Sequence, residues 1–113
     1  MTHHNENLEG LLRLILWCCN DISSYINWYT HASFTKDKKT FDACMMMLQV
    51  IGEICKTIIT KYTEFDKWAY QKIIGLRNII SHDYFGIDRD EIRWICKNRI
   101  PHLEKEISSF LKK

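Results

Sequence analysis

Arg77, Asn78, His82, Asp83 and Tyr84 stand together in the stretch RNIISHDY at 77–84, and side chains of these types could cleave a phosphodiester. An imidazole moves protons near neutral pH, and a guanidinium offers a planar, permanently charged fork to phosphate oxygens. RNA cleavage without a metal needs little more. His82 would move the proton at the 2′-hydroxyl or at the leaving oxygen, and Arg77 would stabilise the charge that develops at phosphorus. Asn78 can both donate and accept in support. If a helix reaches His82, the negative end of its dipole and the neighbouring Asp83 both favour the imidazolium, which poises His82 as an acid–base group.

Each of these residues also has an ordinary use. A histidine near a helix C-terminus makes a favourable cap, an arginine on a short helix is a solvated cation, and a tyrosine such as Tyr84 packs. On one helix Asn78 and His82, four residues apart, share a face, whereas Arg77 is rotated about 140° from His82. Arg77 and His82 therefore converge only obliquely within one chain. A two-fold partner would bring a second copy of each across a shared cleft, which is a physical reason to expect a dimer. Spacing alone leaves both readings open.

The elements that must position these residues are all helical by periodicity. Leu8, Leu11, Leu12, Ile15, Cys19, Ile22 and Ile26 follow the 3–4 spacing of one face of a helix from about 6 to 30. A second stripe, Leu14, Trp17, Tyr25 and Trp28, would leave aromatic surface on another side and suggests a partner surface. The polar stretch HASFTKDKK at 31–39 reads as a connection. The next helix carries Phe41, Cys44, Met45, Leu48, Ile51, Cys55, Ile58, Ile59 and Tyr62 on its core face.

TEFD at 63–66 breaks the pattern, and Asp66 is expected to cap a third helix through Trp68, Ile73, Leu76 and Ile80, ending near 82–86. Asp88, with Glu91 three residues on, should start a fourth helix, which the lone Pro101 must kink or divide. With no period-2 segment, the expected fold is all-α, an antiparallel up-and-down bundle of four to five helices.

Bulk properties narrow the function classes. A chain of 113 residues with 46% hydrophobic content can build one core, so residues 1–113 are expected to form a single domain with residues 1–6 a flexible start. His3 and His4 then belong to a terminus and are not ligands. A net charge of +2 permits contact with phosphates but is far from the balance of a duplex-coating protein. No uninterrupted apolar run approaches the roughly 20 residues of a membrane span, and MTHHNENLEG lacks a basic start and small-residue cleavage site, so a cytoplasmic protein is expected. Five cysteines, an odd set without a C-x-x-C pair, all lie in or beside apolar stripes; buried thiols are expected, not zinc ligands or a disulfide framework.

RNIISHDY, with Arg77, His82 and Tyr84 in the motif positions, resembles the Arg-x4-His-x-Tyr signature of the HepT-like toxins of the HEPN (higher eukaryotes and prokaryotes nucleotide-binding) superfamily. VIGEICKTI at 50–58, IIGLRNIISHDYFGID at 73–88 and IPHLEKEI at 100–107 are similar to that family's second helix, motif helix with its turn, and proline-containing last helix. The aromatic, Cys-rich first helix departs from the pattern. The resemblance implies a HEPN-like homodimer with two motifs facing one cleft, acting on RNA as a metal-independent endoribonuclease toxin with no cofactor. It implies as partner a minimal nucleotidyltransferase antitoxin that transfers AMP to the motif tyrosine, here Tyr84. Glu53, in the family-like Gly-Glu pair, would line the cleft or else be a partly exposed helix position. A different class of function stays open beside this one: a non-catalytic dimeric subunit that docks a nucleotidyltransferase or binds nucleotide.

Overall fold

A computed structural model describes residues 3–27, 36–72 and 88–112, with side chains from residue 7 onward. Among them every regular element is helical, as the periodicities require. Helix α1 spans His3–Asn27 and α2 spans Lys38–Lys61. A tight turn of 3-10 geometry at Thr63–Phe65 leads into α3, helical at 66–72. Then come α4 (Arg89–Trp94), a widened π-helical turn (Ile95–Arg99) and α5 (Ile100–Lys112). Helix α1 packs along both α2 and α5, so one apolar cluster runs through the bundle.

The core follows the predicted faces closely. Leu8, Leu12, Ile15, Cys19 and Ile22 of α1 meet Phe41, Cys44, Met45, Leu48, Ile51, Cys55 and Ile58 of α2, closed by Ile92, Ile95, Cys96, Ile100, Leu103 and Ile107. Among the described residues α2 is the helix long and apolar enough by composition to cross a membrane. Its apolar face is instead spent on the bundle core. Leu14 and Trp17 of the second α1 stripe are exposed, Trp17 by 71%, whereas Tyr25 packs against the core edge and Trp28 lies outside the described residues.

All five cysteines are free and buried, in keeping with their apolar positions. Burial pushes the thiols of Cys19 and Cys55 up to about 12, so both stay protonated and inert at neutral pH. The neighbouring Cys44 thiol and burial together push the Cys96 thiol up, so its proton is held tightly as well.

Local chemistry sets the helix ends. Asp37, extended at φ −91°, accepts from the Thr40 backbone N–H at 3.2 Å and from its hydroxyl at 3.1 Å, so α2 starts at Lys38, inside the stretch expected to be a connection. Asp66 is not a cap. It is already helical at φ −62° and ψ −42°, and the break falls at Tyr62, whose φ of −132° ends α2 while its ring is buried. The core residue Tyr62 thus sets where the chain bends, and the 3-10 turn carries it into α3 without a side-chain cap.

Pro101 divides the last helix in a specific way. The ring has no N–H to close an α-helical turn, and the turn just before it widens so that the Ile100 N–H reaches back five residues to the Ile95 carbonyl. Within that turn the Asn98 side-chain amide donates to the Trp94 carbonyl at 2.9 Å.

Gly10 lies mid-α1, and a Cβ there would meet nothing within 4 Å. Gly10→Ala is therefore expected to stabilise the bundle by about 0.5–1 kcal/mol, since alanine loses less backbone entropy and clashes with nothing. A thermal melt should show a midpoint rise of about 2–6 °C for a domain of this size.

Candidate functional site

The motif residues Arg77, Asn78, His82, Asp83 and Tyr84 lie outside the described residues, and so do the expected helix end and turn at 82–86. What the structure shows is how the chain is held on both sides of them. On the exit side Asp88, extended at φ −77°, accepts from the backbone N–H groups of Asp90 at 2.9 Å and Glu91 at 3.4 Å, which starts α4 at the expected residue. Asp90 and Glu91 place negative charge in the first turn, where the helix dipole favours it. The Arg89 guanidinium lies 4.4 Å from the centre of the Phe41 ring, a cation–π contact that ties the start of α4 to the start of α2.

On the entry side α3 is anchored to α5. The Trp68 indole N–H donates to Glu106 Oε2 at 3.2 Å, and Lys72 Nζ lies 2.8 Å from Glu106 Oε1. Oε1 is buried and accepts no directed hydrogen bond, so the ammonium holds it by charge. His102, largely exposed, lies 3.8 Å from the same oxygen. Phe65, Trp68 and Phe110 meet edge to face, with centroids 5.2 Å (Phe65–Phe110), 5.4 Å (Trp68–Phe110) and 6.5 Å (Phe65–Trp68) apart, close to the T-shaped geometry that aromatic quadrupoles prefer.

Reading along the sequence missed this cluster. Trp68 and Lys72 on one helix, and Glu106 and Phe110 on the other, are each four residues apart, so each pair shares a helix face. That spacing is visible in the sequence, but nothing in it says that the two faces meet. Glu53 is an exposed position of α2, 3.8 Å from Lys56, and such a pair contributes only a few tenths of a kcal/mol.

The model of the family described as Ribonuclease HepT-like matches residues 15–110, which takes in the second half of α1, all of α2 to α4, and α5 up to Phe110. The chain belongs to the HepT-like ribonuclease family. This HepT-like chain is 34% identical over 111 residues to “Putative RNase MJ0127” of Methanocaldococcus jannaschii, covering 95% of this chain and 89% of that one. It is 30% identical over 103 residues to “Putative RNase MJ1380” of the same archaeon, covering 90% and 94% of the two chains. A third relative, “Putative RNase TTE0752” of Caldanaerobacter subterraneus subsp. tengcongensis, is 29% identical over 103 residues, covering 90% and 92%. No solved structure matches this HepT-like chain.

Proposed function

We propose that this chain is a metal-independent endoribonuclease, the toxin of a cytoplasmic toxin–antitoxin pair, working as a homodimer whose two motifs face one cleft. The observation that carries the reading is the family match over 15–110, which takes in Arg77, His82 and Tyr84. In this reading His82 accepts the proton of an RNA 2′-hydroxyl, whose oxygen bonds to phosphorus as the 5′-oxygen leaves. The leaving oxygen takes a proton from the partner subunit's His82, so protons balance across the two-fold axis. Arg77 stabilises the added charge on the phosphoryl oxygens, Asn78 orients them, and Asp83 favours the imidazolium. Glu53, exposed on α2, is available to line the cleft from a facing subunit.

A minimal nucleotidyltransferase neutralises the toxin. The Tyr84 phenolic oxygen attacks the α-phosphorus of ATP, pyrophosphate leaves, and AMP remains on the ring. The added phosphate brings negative charge and bulk beside Arg77 and His82, where substrate phosphate would otherwise bind. RNA is then repelled and blocked.

Cleavage of RNA by the purified chain tests the first part, with His82→Ala as the deciding variant. The second part has its own expected outcome. Co-expression with a nucleotidyltransferase encoded beside it should add one AMP to the intact mass and abolish cleavage, and Tyr84→Phe should gain no mass and stay active. An unchanged wild-type mass, or modification of Tyr84→Phe at the wild-type level, would refute the assignment of Tyr84.

A further inference from the structure

Helix α3 is the last described element before the motif, and Lys72 precedes Arg77 by five residues. Its contacts with α5 come in two steps of one helical turn. The apolar step sets Trp68 against Phe110, and the polar step sets Trp68 and Lys72 against Glu106. Ring packing favours an edge-to-face setting of the rings but accepts a range of centroid distances, here 5.2–6.5 Å. A hydrogen bond from the indole and a charge contact from Lys72, both received by one carboxylate, are far less tolerant. Moving α3 by one residue would lift it about 1.5 Å and turn it about 100°, taking both donors away from Glu106.

Both partners are half-buried, with the side chains of Lys72 and Glu106 each 26% exposed, so their attraction is screened less than that of a surface pair. The ammonium lies deep enough for its charge to act on the core thiol of Cys55 in α2. Glu106 therefore joins α3 to α5 through two side chains of α3.

We infer that Glu106 is a positioning residue: by receiving Trp68 and Lys72 it fixes the rotation and height of α3, the element from which the chain runs on to Arg77 and His82. The consequence for catalysis rests on the ribonuclease reading above; the anchoring of α3 does not. Catalytic groups displaced by about 1 Å lose on the order of 100-fold in rate, so a loosened anchor acts on kcat more than on substrate binding.

The test compares wild type with Glu106→Ala, which removes both contacts, and Glu106→Gln, which keeps an oxygen for the indole N–H. Each is measured for kcat and KM of RNA cleavage, thermal midpoint, and amide hydrogen exchange of peptides covering 73–84. Glu106→Ala is expected to lower kcat by about 10- to 100-fold with KM changed by less than about 3-fold, at a temperature where it remains folded. Exchange should rise in 73–84 and stay unchanged in α1. Glu106→Gln should recover most of the lost kcat and protection. A Glu106→Ala protein with wild-type kcat and wild-type exchange overturns the inference, and so does a loss that follows the unfolded fraction alone. If the wild type cleaves no RNA, the ribonuclease reading fails by itself, and the exchange of 73–84 still decides whether Glu106 anchors α3.

Discussion

His82→Ala is expected to reduce the rate of RNA cleavage by about 100- to 10,000-fold, the usual contribution of a positioned general acid–base group. Two effects combine in the proposed dimer, since each subunit loses an imidazole and the cleft loses both the base and the acid. The loss should appear in kcat with KM little changed, because proton transfer is an interaction of the transition state and not of the ground state. Bacteria expressing the variant should grow where those expressing wild type do not. Wild-type cleavage should also proceed at full rate in excess chelator, since the proposed chemistry places the work on side chains. Equal cleavage, or equal toxicity, by wild type and His82→Ala would remove His82 from the mechanism. Loss of wild-type cleavage in chelator would retain the ribonuclease and discard metal independence.

Leu48→Ala should be among the most damaging core truncations to the fold. Leu48 is fully buried at the centre of α2, the helix whose apolar face lies along α1. Removing its branched end deletes contacts and leaves a cavity that rigid helices fill poorly, at a cost of about 2–5 kcal/mol. Set against a total stability of about 5–15 kcal/mol, that is a large fraction. The thermal midpoint should fall by about 8–30 °C. Gln49→Ala, at the adjacent exposed position, should shift stability by no more than about 0.5 kcal/mol. A Leu48→Ala protein that melts with the wild type would mean that this part of α2 is not core.

The two effects differ in origin, and so do the routes by which they can be read. Leu48 could be assigned to the core from spacing, because an apolar residue repeated every three or four positions has one side of a helix to occupy and water to avoid. The same argument places Ile15, Ile22, Ile51, Ile58, Ile92 and Ile107, all fully buried. Leu11, Ile26, Ile59, Phe110 and Leu111 share the stripe but are only partly covered, while Cys18 and Ile54, beside the stripe, are buried. A periodicity gives the direction of a face, and the width that is covered depends on which neighbour lies there.

The ends of elements show a similar division. Asp37 and Asp88 cap their helices through bonds to residues two and three positions on, a purely local matter. Asp66 had the same chemistry at hand and does not cap, because the buried Tyr62 places the bend four residues earlier. Tertiary burial there outweighed a local preference worth about 1 kcal/mol.

By itself the sequence determined the all-helical class, the core faces, the buried state of the cysteines and the interruption before Pro101. It also carries Arg77, His82 and Tyr84 in a stretch that resembles the HepT-like pattern, inside the 15–110 span that places the chain in the family. These depend on residue type and on spacings of a few positions, which a linear chain already contains. Only the tertiary structure decided that Trp68 and Lys72 meet Glu106, thirty-eight and thirty-four residues away, and that Arg89 rests on Phe41. Contacts of that kind depend on how two helices are set against each other. That setting is a compromise of packing over the whole bundle, and no short stretch of chain encodes it.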